Sequence, residues 1–114
     1  MSRIRLPESR LGITKKAFVG NMEYYVTVNF YPDRSVPGEV FIKIAKKGSI
    51  IAGFVNALAI TISIAWQYGV PWDILRVKYE HTTFEPNDEK HSSIVDGIAK
   101  TIINIIKERK EQIS

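Results

Sequence analysis

The stretch "MEYYVTVNFY", residues 22–31, decides the fold. Its side chains alternate strictly between two faces: Tyr24, Val26, Val28 and Phe30 share one, and Tyr25, Thr27, Asn29 and Tyr31 share the other. A period of two predicts a β-strand whose apolar face lies on a core and whose polar face meets water.

Two further strands are predicted on either side of this one. Upstream, "LGITKKAFV" (11–19) leads into Gly20-Asn21, a pair typical of tight turns. Downstream, "PDRSVPG" (32–38) is a connection, and "EVFIKIAKK" (39–47) is a strand with Val40, Ile42 and Ile44 inward. We therefore expect an antiparallel sheet of about three to four strands.

A charge-free run follows, from Gly48 to Trp72. It is long enough to span a bilayer, but Ser49 is a good N-cap, and Gly69 with Pro71 ends a helix in the manner of soluble proteins. We expect a helix buried on most of its sides, in the protein or in its oligomer, and no membrane span.

This predicted helix carries a ridge of small side chains, spaced four residues apart: Gly53, Ala57, Thr61 and Ala65. Such a ridge lets another backbone approach closely. Because so apolar a helix needs more partners than a short chain offers, we expect a homo-oligomer, a dimer or higher.

The C-terminal third predicts a short helix over 71–79 and a long final helix. The latter begins with Ser93-Ile94-Val95-Asp96, a capping box, and ends in a frayed, charged tail over 107–114. Its apolar stripe consists of Ile94, Val95, Ile98, Ile102, Ile105 and Ile106. The predicted fold is α+β, a single domain over 1–114 with the sheet packed against two main helices.

Composition narrows the possible functions. The 114 residues carry a net charge of +4, which favours phosphate-bearing partners without requiring nucleic acid. The sequence contains no cysteine, which excludes disulfides, thiol catalysis, iron–sulfur ligation and thiolate zinc sites within it. No apolar segment of a signal peptide follows the N-terminus, so we expect a cytoplasmic protein.

The loop "EHTTFEPNDEKHSS" (80–93) concentrates two histidines and four acids. His81 and His91 lack the spacing of a metal site, and no serine sits in a nucleophile elbow. We predict no metal, no cofactor and no catalytic residue, with the acids and histidines serving as hydrogen-bonding scaffold. Phe84 either packs onto the core or, beside Asn87, stacks on a nucleobase.

A second candidate is "AKKGS" (45–49), directly before the charge-free helix. Lys46, Lys47 and the free N–H groups beyond Ser49 could bind phosphate, although the glycine spacing of a P-loop is missing. The alternative is an ordinary turn with solvated lysines. The N-terminal cations, usually solvated in such segments, are Arg3, Arg5, Arg10, Lys15 and Lys16.

Several separated motifs together resemble a known module. The segments "LPESRLGITKKAFVG", "YYVTVNFY", "PGEVFIKIAKKGSIIAG", "QYGVPWDIL" and "HTTFEP" look like the C-terminal module of cobalamin-dependent (class II) ribonucleotide reductases, from about Leu6 to Ile98. In those enzymes a separate barrel with radical-site cysteines does the chemistry, and the module bears a cysteine-containing tail. Since this sequence has neither, the resemblance does not imply reductase activity, and we expect no enzyme.

In size and character the chain also resembles short phage proteins that defeat Thoeris immunity by sequestering cyclic ADP-ribose signals. That resemblance implies ligands at subunit interfaces. It implies Phe84 stacked on the base, Asn87 on base or ribose, and Arg109 with the "AKKGS" turn on phosphates. His81 and Ser49 complete the implied ligand-binding set.

Three functions are therefore open. The first is a non-catalytic sponge for cyclic ADP-ribose or cyclic nucleotides, which we favour at this stage. The second is an accessory or regulatory subunit, or a detached C-terminal domain, of a class II ribonucleotide reductase. The third is a structural oligomer or a nucleic-acid binder that uses the basic N-terminus; we expect nucleic acid least.

Overall fold

The computed structural model describes residues 2–32, 36–45, 50–83, 87–91 and 93–113. Within these ranges the chain forms three strands and three helices: β1 (Gly12–Val19), β2 (Met22–Phe30), β3 (Pro37–Ile44), α1 (Ile50–Gln67), α2 (Trp72–Tyr79) and α3 (Ile94–Ile113). The strands make one antiparallel sheet in the order β1-β2-β3. The predicted α+β class is confirmed.

The central strand β2 behaves as its alternation predicts. Tyr24, Val26 and Val28 are fully buried, whereas Tyr25 and Thr27 lie on the open face of the sheet. Tyr31 differs from the prediction: it lies just beyond a register irregularity at Asn29 and Phe30 and is buried, with its hydroxyl donating to the carbonyl oxygen of Ile4. The N-terminal segment thus covers this end of the sheet.

Strand β3 is offset from its predicted range. It begins at Pro37, inside the predicted connection, and ends at Ile44 rather than at residue 47. Leu6 packs so closely on Gly38 that a Cβ there would lie 2.7 Å from Leu6 Cδ1. A side chain at this position would have to displace that of Leu6, which favours glycine inside the strand.

Helix α1 lies along β3. Its inner side buries Val55, Ala59 and Ile62, and its polar residues bond the strand. Ser63 Oγ accepts from the N–H of Val40 at 2.9 Å, and Gln67 Nε2 donates to the carbonyl of Gly38 at 3.0 Å. These side chains satisfy backbone groups at the free edge of the sheet, which would otherwise be open to pairing.

The end of α1 is a Schellman motif, as Gly69 predicted. Gly69 has φ +90°, its N–H donates to Trp66, and the N–H of Val70 donates to Ala65. The predicted N-cap, Ser49, lies outside the described residues.

One copy of the chain buries fewer sides of α1 than expected, and the burial of α1 in an oligomer stays a prediction. Among the described residues α1 is the one helix long and apolar enough to span a bilayer, yet only 28% of its residues are buried. The ridge formed by Gly53, Ala57 and Thr61 faces outward, so within one copy α1 is buried on a single side.

Helix α3 crosses β1 and β2 and supplies much of the core. Its predicted apolar stripe is buried, except that Val95 is half-buried. The predicted frayed tail is helical through Ile113, because Glu108 pairs with Lys15 at 3.1 Å and Arg109 packs over Phe30.

Candidate functional site

The loop between α2 and α3 folds onto the first turn of α3 through a buried carboxylate. Asp96 is fully buried. Its Oδ1 accepts from the N–H of His81 at 2.6 Å, and its Oδ2 lies 3.0 Å from Lys100 Nζ. Ser93 Oγ accepts from the N–H of Asp96 at 3.1 Å, which is the N-cap bond expected of the capping box. Asp96 therefore positions the loop and stabilises the helix start.

A second acid ties the loop to the β1–β2 turn. Asp88 Oδ2 accepts from the N–H of Gly20 at 2.8 Å, and its Oδ1 accepts from the N–H groups of Lys90 and His91. The Gly20 bond, followed by that of His91, lowers the pKa of Asp88, because these bonds favour the charged carboxylate. Gly20 needs its φ of +58° for this turn.

Three residues of the loop were assigned to ligand binding: His81, Phe84 and Asn87. His81 and Asn87 are exposed, and His81 has φ +67°, a conformation held by the bond from its N–H to Asp96. Phe84 lies outside the described residues. The prediction that the acids of the loop act as hydrogen-bonding scaffold is confirmed for Asp88. Asp96 plays the same part from α3, outside the loop for which the prediction was made.

In the turn "AKKGS", the three residues assigned to phosphate binding, Lys46, Lys47 and Ser49, also lie outside the described residues. Its proposed phosphate role stays a prediction.

Arg109 lies far from the loop. It follows Asp96 along α3 by about 20 Å at the rise of an α-helix. Its guanidinium carbon is 5.7 Å from the centre of the Phe30 ring, and its Nε is buried with no hydrogen-bond partner in the described part of the chain. It lines a small cleft of about 130 Å³ with Leu11, Gly12, Ile13, Phe30 and Gln112. A single copy does not bring Arg109 together with His81 and Asn87.

Three of the N-terminal cations make polar contacts within the chain, which the sequence did not indicate. Arg3 donates to Gln67 Oε1 at 2.6 Å, Arg10 pairs with Glu39, and Lys16 lies 2.9 Å from Glu23. The Glu23 carboxylate raises the pKa of Lys16, and the Lys16 ammonium lowers that of Glu23. Arg3 and Arg10 therefore hold the N-terminal segment against the rest of the chain, and Lys16 links β1 to β2.

The open face of the sheet carries a shallow cleft that sequence reasoning gave no role. Tyr25 stands between Lys16 on β1 and Lys43 on β3, and Phe41 is 56% exposed beside Thr27. The alternation placed Tyr25 and Thr27 outward. Only the strand register, which one sequence does not supply, reveals their neighbours on β1 and β3.

The described residues contain no group of three or more histidines, aspartates or glutamates close enough to hold a metal ion. The arrangement of Asp88 and Asp96 is suited to holding backbone, since most of their bonds run to N–H groups.

Sequence comparison identifies the family. The profile of the TSCPD domain matches residues 3–106. The chain belongs to the TSCPD domain family. The match covers the whole sheet, α1, α2 and most of α3.

Curated relatives of this TSCPD chain are vitamin B12-dependent ribonucleotide reductases. That of Rhodopirellula baltica is 43% identical over 105 residues, which are 91% of this chain and 10% of the relative. That of Streptomyces clavuligerus is 46% identical over 107 residues, 88% of this chain and 11% of the relative. No solved structure matches the chain.

The resemblance to the C-terminal region of class II reductases is thereby confirmed. The chain spans about a tenth of the length of these relatives. The similarity therefore concerns one module and not the whole enzyme. No relative among these points to a phage sponge.

Proposed function

We propose that this TSCPD chain is a non-catalytic module that works with a B12-dependent ribonucleotide reductase, as an accessory or regulatory subunit or as its detached C-terminal domain. The observation that supports this is the 43% identity to the R. baltica reductase over 91% of the chain. Identity at this level over 91% of the chain supports a common fold, and the proposal extends that likeness to the binding surface.

The module's own residues fit a binding role better than a chemical one. The 114 residues contain no cysteine, so they supply no thiol for radical or disulfide chemistry. The exposed Asp88 and the buried Asp96 are both engaged by backbone N–H groups. The module would therefore act on a reductase by binding to it through its surface.

The proposal is tested by adding the purified chain to two forms of the R. baltica reductase, intact and lacking its TSCPD region. We expect a stoichiometric complex with the truncated reductase, detected by native mass spectrometry. The intact enzyme should bind much less, because its own module occupies the same place.

A matched control is the same experiment with an unrelated basic protein of similar size, which should bind neither form. Absence of a complex with the truncated reductase would contradict the proposal. Equal binding to both forms would contradict the idea that the chain replaces the resident module.

A second candidate function is the sequestration of cyclic ADP-ribose or cyclic nucleotides without turnover, as an anti-Thoeris phage protein would do. One observation favours it: the buried Arg109 Nε has no partner among the described residues, beside a cleft that also contains Gln112. A guanidinium in this state is suited to a phosphate oxygen.

Native mass spectrometry with a panel of cyclic nucleotides and cyclic ADP-ribose isomers tests this second candidate. Binding of an intact ligand that is lost in Arg109→Ala but kept in Lys110→Ala, the exposed neighbour in the last turn, would support it. Phe84→Ala tests the stacking residue that the resemblance implies. A panel without any bound ligand would contradict the sponge.

A further inference from the structure

The outer side of α1 is the most unusual surface in the described part of the molecule. Four large side chains on it are exposed, Ile50 at 80%, Phe54 at 73%, Ile60 at 54% and Ile64 at 38%, and Tyr68, just after the end of α1, continues the surface at 41%. No charged residue interrupts the helix. Scattered exposed apolar residues are ordinary, but a contiguous stripe of this length marks an interaction surface.

The stripe has a shape as well as a polarity. At helical spacing, Ile50 and Phe54 form one ridge, and Ile60, Ile64 and Tyr68 form another. Between these ridges runs a groove whose floor is made of Gly53, Ala57 and Thr61, all exposed. Nothing lies within 4 Å of a Cβ built on Gly53, so the groove is open.

We propose that the outer side of α1 is the interface of a homodimer, with a second copy of the same helix as its occupant and Ala57 near the two-fold axis. Ridges built from residues four apart pack into grooves of the same kind at a crossing angle of about −50°. This face carries both the ridge and the groove. In two copies related by a two-fold axis, the ridges of each helix can therefore pack into the groove of the other.

The available area fits a dimer. The exposed parts of these side chains amount to roughly 600 Å² per copy, so pairing would remove roughly 1,200 Å² from water, the lower end of standard interfaces. An apolar cleft of about 550 Å³ continues the surface from Ile50 and Phe54 to Ile94 and Val95 at the start of α3. This cleft extends the area that a second copy can cover.

A membrane is a less suitable partner for the outer side of α1 than a second copy of the chain. A membrane would have to accept α1 while its inner side stays bonded to the backbone of Val40 and Gly38 through Ser63 and Gln67. A helix anchored in this way does not span a bilayer. Because the stripe carries no charge, pairing two copies through it brings no like charges into direct contact, although each copy has a net charge of +4.

Sedimentation equilibrium of the purified chain over a range of concentrations is the first test. We expect a mass twice the 13.0 kDa of the chain. Phe54→Lys should weaken the dimer at least about a hundredfold, because a buried unpaired charge replaces an apolar contact. Ile74→Lys on α2, which also replaces an exposed isoleucine, should leave it unchanged.

A second measurement uses the absence of cysteine. In oxidised Ala57→Cys, the two copies should form an intermolecular disulfide, since residues near the axis come within reach of one. Asn104→Cys, exposed on α3, should remain unlinked. Circular dichroism confirms that each variant is folded.

A wild-type chain that stays monomeric at every concentration would overturn the proposal. So would a dimer that Phe54→Lys leaves intact. A monomer that binds lipid vesicles or the reductase through Phe54 would assign the surface to that other partner. No reductase is present in the dimer measurement, so its outcome is independent of the proposed function.

Discussion

The two long helices of this chain are nearly equal in length and opposite in character. Helix α3 buries nine of its twenty residues and turns charged side chains outward. Helix α1 buries five of eighteen and turns isoleucine and phenylalanine outward. The core of one copy uses most of the apolar side chains of α3, with Ile113 in its last turn exposed, and a smaller share of those of α1. The part of α1 that is left over is the surface proposed for assembly.

The largest expected effect tests this contrast with matched isoleucines. Ile102 on α3 is fully buried, and Ile102→Ala should lower the free energy of unfolding by about 3 kcal/mol through lost burial and a residual cavity. Ile60→Ala on the outer side of α1 should change it by less than about 0.5 kcal/mol in dilute, monomeric protein. Urea denaturation followed by circular dichroism measures both.

Equal losses in the two variants would mean that the outer side of α1 is covered within one copy. The contrast between the helices would then be wrong.

Asp96 should show the next largest effect, because it links the loop to α3. Asp96→Ala removes the acceptor of the His81 N–H and should cost about 2 kcal/mol, measured by urea denaturation. Lys100 is the comparison: its side chain is one-third exposed, so water can take the place of its ammonium beside Asp96, and Lys100→Ala should cost less than Asp96→Ala. A larger loss for Lys100→Ala would show that the ion pair matters more than the backbone bond.

Two glycines of α1 and its C-terminal turn should respond in opposite directions. Gly69→Ala should cost about 1 kcal/mol, because alanine is strained at φ +90°. Gly53→Ala should gain a little less than 1 kcal/mol, since its Cβ meets only open space in a helix interior. Thermal unfolding measures both changes, and a loss in Gly53→Ala would indicate that something already occupies the groove.

Sequence patterns predicted the elements of this fold well, because each signal is local. The alternation of Tyr24, Val26 and Val28, the Gly69 turn and the Ser93 cap all depend on neighbours within a few residues. The prediction for β3 was offset because Pro37 and Gly38 look like a turn, whereas the pairing of Pro37 with Phe30 on β2 places them in a strand.

The site was less predictable because it depends on distance through space. The sequence could not show that Asp88 bonds to the N–H of Gly20. The predicted frayed tail also concealed that α3 continues through Arg109, about 20 Å from Asp96. It also could not show which side of α1 faces the sheet, since residues of similar polarity occur all around that helix. The side that faces the sheet is the one that carries Ser63 and Gln67, whose polar side chains bond to the backbone of β3.

The smallest expected effect concerns pH and the contact between the loop and the sheet. The folded-state pKa of Asp88 is lowered, first by the N–H of Gly20, so its carboxylate stabilises the fold at pH values above its unfolded pKa of about 3.9. This contribution is lost as pH falls through the lower, folded pKa. Asp88→Asn should therefore be less stable than the wild type near neutral pH, and the difference should shrink below about pH 4.

Chemical denaturation at a series of pH values measures that difference, and Glu89→Gln, an exposed carboxylate of the same loop, is the control. Taking the difference between variants is necessary because Glu23, whose pKa is also lowered, weakens both proteins in acid. If the Asp88→Asn difference stays constant from neutral pH into acid, the bond to Gly20 does not depend on the charge of Asp88. The N–H of Gly20 would then be bonded equally well by a neutral side-chain oxygen.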